Sequence, residues 1–187
     1  YLEACLQYLI KQKKIIFSLI LLVILLISFF IFNKALKNEN VYFPKLNDNK
    51  DYYIEDFSLP ELFTNEKLSI KQLLEKKDFS IVNIWASWCV PCEKENSFLI
   101  SLSNFDNLQI IGVNYKDRNK NAKSFLNKFG NPFNYNLVDS NGTTSIILGA
   151  YGVPETFLVN KNKKILLKII GPINNNHLNE INSIIKK

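Results

Sequence analysis

Apolar and polar positions divide the chain into one long apolar run, one polar stretch and a series of short periodic segments. Ile15 to Phe32 holds eighteen residues without a charge. As a helix it would measure about 27 Å, against roughly 30 Å for a hydrocarbon core. A buried core helix would keep a polar face where it met water, and this run has none, so the pattern predicts a membrane span. Residues 38–50 are polar, asparagine-rich and aperiodic, which predicts a tether. The division expected is 1–14 before the membrane, 15–32 spanning it, 33–52 linking and 53–187 as one folded domain.

Within the last part the period alternates between strand-like and helix-like. Asp56 to Leu62 predicts an edge strand stopped by Pro60. Leu68 to Lys77 predicts a helix with Ser69 as N-cap and Ile70, Leu73 and Leu74 on one face. Phe79 to Ala86 predicts a buried strand interrupted by Asn83, and Pro91 to about Phe105 a helix. Leu108 to Tyr115 is a second apolar strand. Asp117 to Phe129 predicts a helix opened by an acid and closed at Gly130. A strand over Asn134–Asp139 and a short helix over Thr143–Ala150 come next. A tight connection through Gly152–Thr156 then leads into the strand Phe157–Asn160. A turn at 160–163, its hairpin partner Ile165–Ile170 and an amphipathic helix Leu178–Ile185 close the series, with Asn174 to Asn176 as a solvated helix entry. Strand and helix alternating, then a hairpin and a helix, predicts an α/β domain with a mixed sheet and helices on both faces.

Charge and cysteine usage refine the picture. Residues 1–37 hold five Lys and one Glu, a net of +4 out of the chain's +6. The folded part is thus close to neutral and is not a polyanion binder. Lys11, Lys13 and Lys14 precede the apolar run while Lys34 and Lys37 follow it, which orients the N-terminus to the cytoplasm and the domain outside. A removable signal peptide is the rival, but Asn33-Lys34-Ala35-Leu36-Lys37 offers no small-x-small cleavage site, so an uncleaved signal-anchor is expected. The opening YLEACLQYL lacks an initiating Met, the true start is expected elsewhere, and those residues receive no role.

The three cysteines are Cys5, Cys89 and Cys92. With this orientation Cys5 lies across the membrane from the others, which excludes a structural disulfide framework. A strand ending at Ala86 and a helix beginning near Cys89 set the first cysteine of the C-x-x-C on the first helical turn. There, free N–H groups and the helix dipole favour the thiolate that attacks disulfides, and Cys92, one turn on, can resolve the mixed disulfide. Pro91 suits that first turn. A structural zinc site needs four ligands, and the outer domain offers only Cys89, Cys92 and the distant His177, expected to be a solvated helix-start residue. The other alternative is an inert buried pair, which fits poorly with Trp88 directly before Cys89 at a strand-to-helix turn.

Three segments carry a family resemblance: Trp85-Ala86-Ser87-Trp88-Cys89-Val90-Pro91-Cys92, Gly112-Val113-Asn114-Tyr115-Lys116-Asp117, and Gly149-Ala150-Tyr151-Gly152-Val153-Pro154-Glu155-Thr156-Phe157. From about Phe57 onward the chain resembles the membrane-anchored thioredoxin-like proteins of cytochrome c maturation, the CcmG/DsbE type, related to TlpA and ResA. The resemblance implies a thioredoxin-like fold, Cys89 as attacking and Cys92 as resolving cysteine, and Val153-Pro154 as a cis-proline turn facing the dithiol and receiving the partner's backbone. It also implies a periplasmic reductant of apocytochrome c cysteines, or of a haem-ligation partner. Its electrons would come from a CcdA or DsbD type membrane protein, and it would need no cofactor beyond the redox-active disulfide. Three alternatives remain: a general extracytoplasmic reductase of the TlpA or ResA kind, an oxidant that makes disulfides, and a non-catalytic chaperone-like binder of cysteine-containing chains.

Cytoplasmic thioredoxins carry a buried aspartate six residues before the first cysteine, where this chain has Asn83, and an amide cannot accept a proton. A carboxylate elsewhere is expected to take that role, Glu95 as first choice, because it lies one turn after Cys92 on the same helix face, and Glu155 as second. Glu93 and Glu95 as solvated surface acids is the competing reading. Trp88 is expected beside the sulfurs as part of the docking surface, and Trp85 and Phe157 in the core. Tyr115, Lys116 and Asp117 leave the second strand where a loop could border the site.

Overall fold

The computed structural model describes residues 2–37 and 51–186. The chain divides into two units, residues 1–48 and 49–187. The first contains one helix, α1 (Leu2–Lys37), and the stretch Gln12–Lys34 is long and apolar enough to cross a membrane. Most of the expected linker, residues 38–50, lies outside the described residues, and its opening residues 33–37 continue α1.

The second unit is built on a five-stranded sheet. In chain order it comprises β1 (Ser58–Pro60), β2 (Lys67–Ser69), α2 (Ile70–Leu74), β3 (Phe79–Trp85), α3 (Val90–Leu102), β4 (Leu108–Tyr115), α4 (Asn119–Phe129), β5 (Tyr135–Asp139), α5 (Thr143–Ile147), β6 (Glu155–Asn160), β7 (Ile165–Ile170) and α6 (Asn175–Ile185). The sheet order is β5-β4-β3-β6-β7. β3, β4 and β5 are parallel and joined through α3 and α4, while β6 runs antiparallel to both β3 and β7. This is a thioredoxin-like α/β fold with a mixed sheet.

Each face of the sheet buries its own apolar cluster. One gathers Ile81, Trp85, Leu158 and Ile169 from the strands beneath α3, α4 and α6, and includes both Cys89 and Cys92. The other gathers Val82, Ile84, Val113, Phe157 and Val159 beneath α2 and the segment after α5. The strands read as near-continuous apolar runs because both their faces are covered. Trp85 and Phe157 are core residues, as expected. The chain is fastened to the sheet as early as residue 52, whose carbonyl accepts a hydrogen bond from Ile165 N.

Several boundaries differ from the sequence reading, each for a local reason. The helix expected from Leu68 begins only at Ile70, because Lys67–Ser69 pairs with Ser58–Pro60 in a small separate sheet. Ser69 occupies the N-cap position without a side-chain capping bond. Asp117 does not open α4. That helix starts at Asn119 after an uncapped Arg118, and the Asp117 carboxylate turns back toward Ser87. α5 stops at Ile147, before Gly149 with φ +81°. α6 starts earlier than expected because Asn174 Oδ1 accepts the N–H groups of Asn176 and His177. His177 is therefore a half-buried residue of the first helical turn rather than a solvated one. β6 begins at Glu155, two residues before the expected start, because Glu155 already pairs with Ile84 and Ile170.

Candidate active site

The site begins with what β3 does at its end. After Trp85 the chain leaves the sheet through Ala86-Ser87-Trp88, and Cys89 becomes the N-cap of α3 with extended backbone, φ −92° and ψ 102°. A helix start leaves amide hydrogens without partners. Here Cys92 N–H is shared between Cys89 O and Cys89 Sγ, each at 3.1 Å. Pro91 fills the first turn, where no amide hydrogen is required. The two cysteines form a disulfide with a Cα–Cα distance of 5.3 Å. On reduction, the same N–H group and the positive end of the thirteen-residue α3 would stabilise a thiolate at Cys89.

Cys92 and Glu95 both lie on the buried face of α3, one turn apart. Glu95 is 1% exposed, and its hydrogen-bond donors come from two other segments. Asn83 Nδ2 of β3 donates to Oε1 at 2.9 Å, and Ile173 N, ahead of α6, donates to Oε2 at 2.9 Å. Asn83 uses the same amide nitrogen toward Thr156 Oγ1 of β6 at 3.0 Å. All of these donors are neutral, and burial pushes the Glu95 carboxyl up to about 7 despite the lowering effect of the bonds from Ile173 and Asn83. Glu95 is thus not a solvated surface acid, whereas Glu93 is exposed.

Glu155 is equally buried but sits on the other side of the sheet. Successive strand residues point to opposite faces. Thr156 meets Asn83 and hence the α3 side, so Glu155 points away from α3. Its Oε1 accepts the N–H groups of Tyr151 and Gly152, the latter at 2.9 Å. Its Oε2 lies 3.1 Å from the Lys168 ammonium, an ion pair without hydrogen-bond alignment.

The antiparallel register sets Ile84 opposite Glu155. The turn leaving β3 and the Val153–Pro154 turn entering β6 therefore emerge at neighbouring strand ends. The Val153–Pro154 peptide is cis. Val153 packs against the cluster that contains both cysteines. Trp88, 56% exposed, stands directly before the dithiol, and its Nε1 donates to Lys116 O at 3.3 Å.

Two further contributors complete the picture, of which Asp117 was expected only as part of a loop bordering the site and Lys168 was not expected at all. Asp117 clamps the approach to the dithiol: its carboxylate accepts Ser87 N at 2.6 Å, Ser87 Oγ at 2.9 Å, Asn114 Nδ2 at 3.1 Å and Arg118 N at 2.7 Å. Lys168 went unremarked although it is the one charge in the apolar strand Ile165–Ile170, an anomaly that calls for a buried partner. Among the described residues no cluster of three or more His, Cys, Asp and Glu could hold a metal ion.

Comparison with known proteins agrees with this arrangement. The redoxin family pattern matches residues 47–185. A thiol:disulfide interchange protein CycY of Rhizobium leguminosarum bv. viciae is 42% identical over 105 residues, 56% of each chain. A thiol:disulfide interchange protein DsbE of Vibrio cholerae is 37% identical over 127 residues, 68% of each chain. The chain thus spans little more than half the length of the first relative and about two thirds of the second. Among solved structures, a thiol-disulfide oxidoreductase from Bacteroides fragilis superposes with a TM-score of 0.61 at 22% identity, over 72% of this chain and 99% of that one. A DsbF homologue from Corynebacterium diphtheriae gives 0.63 at 19%, over 75% and 90%. These two likenesses speak for the thioredoxin-like fold. With the sequence matches beside them, the chain belongs to the redoxin family and, within it, to the DsbE-type thiol:disulfide interchange proteins.

Proposed function

We propose that this chain is a membrane-anchored thiol:disulfide oxidoreductase of the periplasm, with its N-terminus cytoplasmic. It acts as a reductant of apocytochrome c cysteines, or of a haem-ligation partner that presents them, during cytochrome c biogenesis. The observation that carries the reading is the Cys89 sulfur at the start of α3, facing Cys92 N–H one helical turn before a buried carboxyl. DsbE and CycY relatives named for thiol:disulfide interchange support the same chemistry.

In the cycle, the Cys89 thiolate attacks one sulfur of the substrate disulfide. The first substrate sulfur departs as a thiolate and takes a proton from solvent. Glu95 takes the Cys92 proton, and the Cys92 thiolate attacks Cys89 Sγ. The Cys89–Cys92 disulfide forms, the mixed disulfide breaks, and the second substrate sulfur leaves and is protonated in turn. Two electrons have passed from the dithiol to the substrate. A carboxyl held near 7 is suited to this transfer, since it can both accept and return a proton at neutral pH. Trp88 and the Val153–Pro154 turn form the docking surface for the substrate chain.

The cycle closes when a CcdA or DsbD type membrane protein reduces Cys89–Cys92, and it needs no metal, flavin or nucleotide. An apolar helix in the bilayer confines the domain near both donor and acceptor and raises their effective concentrations. The deciding measurement is the reduction potential of the full chain in detergent, equilibrated with a glutathione or dithiothreitol couple. A reducing value is expected. A potential near the roughly −120 mV of a dedicated disulfide donor would sink the proposal.

A further inference from the structure

Lys168 is the most completely engaged cation in the described structure, and the cycle above does not use it. Its side chain is 9% exposed. The ammonium donates to Gly149 O at 2.7 Å and lies 3.1 Å from Glu155 Oε2. It stands 4.9 Å from the ring centre of Tyr151 and 5.3 Å from that of Phe157. A buried ammonium is costly unless several partners replace water, and here a carbonyl, a carboxylate and two aromatic faces do so.

The partners are not scattered. Gly149, Tyr151 and Glu155 bracket the segment that ends in Val153–Pro154. Glu155 Oε1 adds the N–H groups of Tyr151 and Gly152, so the pair grips both strands of this loop. Gly171 N, just past β7, holds Pro154 O at 2.9 Å. The loop itself is open to solvent: Tyr151 is 74% exposed and a Cβ added at Gly149 or Gly152 would meet nothing within 4 Å. Apolar packing holds the loop at Ala150 and Val153, while the exposed stretch between them is tied down by the buried ion pair. Such a pair adds little net stability compared with an apolar replacement, but it specifies one geometry.

We propose that Lys168 is a positioning residue for substrate recognition: acting through Glu155 and Gly149, it holds the 149–154 loop in the shape that receives an extended substrate chain beside the dithiol. This rests on the docking role assigned above to Val153–Pro154. It also gives Glu155 a positioning role and leaves proton transfer to Glu95.

The test uses the reduced full chain in detergent against two oxidants: a peptide whose C-x-x-C-H cysteines form a disulfide, and the small aromatic disulfide 5,5′-dithiobis(2-nitrobenzoate). For Lys168→Met, the peptide KM is expected to rise at least tenfold. The ratio of peptide efficiency to small-disulfide efficiency should fall by a similar factor, and Lys168→Arg should restore it to within threefold. An unchanged ratio, or equal losses on both oxidants, overturns the proposal. Should Lys168→Met not fold, the double variant E155Q/K168M removes both charges at similar volume. The same rise in KM supports the proposal there, and a wild-type KM overturns it. A wild-type chain that reacts with the small disulfide but not with the peptide defeats the docking reading itself, and the role of Lys168 with it. An unchanged ratio in Lys168→Met beside an active wild type defeats Lys168 alone.

Discussion

Glu95 and Glu155 are both 1% exposed, and the same sheet separates them, yet they are held in opposite ways. On the α3 side, Glu95 meets only neutral donors, Asn83 and the Ile173 amide, and its proton affinity rises to about 7. On the far side, Glu155 meets two amides and the Lys168 ammonium. The contrast teaches how one fold can suit two buried acids to the two roles proposed for them. Burial without a countercharge leaves a group that exchanges protons at neutral pH, and burial beside one gives a fixed strut. Position follows the same division, since Glu95 shares a helix face with Cys92 while Glu155 shares a loop base with the cis Val153–Pro154 turn.

The largest effect expected concerns the dithiol exchange itself. Cys89→Ser should remove exchange with peptide and small disulfides alike, read as thiol release over time. Full retention of cytochrome c maturation in that variant would favour a binding role and dissolve the contrast altogether. Next comes the countercharge. Lys168→Met leaves Glu155 buried and unpaired and should cost about 3–5 kcal/mol in denaturant unfolding, with E155Q/K168M recovering much of it. A loss equal in single and double variants would mean the pair is not coupled.

The third test is the missing countercharge at Glu95. Its folded-state pKa is raised, so the folded chain holds a proton that the unfolded chain releases above its ordinary 4.5. Stability from this group is complete below pH 4.5 and declines as pH rises through about 7, a change on the order of 3 kcal/mol at most. Glu95→Gln in the oxidised chain should flatten that decline between pH 5 and 8, and should remove an inflection near 7 from the Cys92 reactivity profile. The same slopes in variant and wild type would place the titration elsewhere. The smallest effect belongs to Asp117, a half-buried third acid. Asp117→Asn should cost about 1 kcal/mol through weaker bonds to Ser87, with Trp88 fluorescence reporting the loosened turn.

Much of this arrangement could be read from local sequence. Leu108–Tyr115 and Ile165–Ile170 were delimited to the residue, because a strand covered on both faces is a short apolar run with polar ends. The C-x-x-C at a strand-to-helix turn, the exposed Trp88 and the proximity of Glu95 to Cys92 all rest on spacing within a few residues. The unread part depends on residues far apart in sequence. Nothing near Asn83 announces that it reaches Glu95 and Thr156 together, since that contact requires β3, α3 and β6 to be assembled. The Lys67–Ser69 pairing overrode a helical pattern for the same reason, its partner lying outside the local window. Asp117 resembled a helix opener because an acid there is favourable for the dipole, but the Ser87 hydroxyl and amide compete for it and win.

The antiparallel seating of β6 between β3 and β7 has a consequence for how the domain comes into being. During synthesis, the segment bearing Cys89 and Cys92 emerges well before the segment bearing Val153 to Thr156. Until β6 is inserted, the Val153–Pro154 turn is not seated beside the end of β3, and Asn83 lacks its bond to Thr156. On the docking role proposed for that turn, substrate selection would begin only once the last third of the domain has closed the sheet.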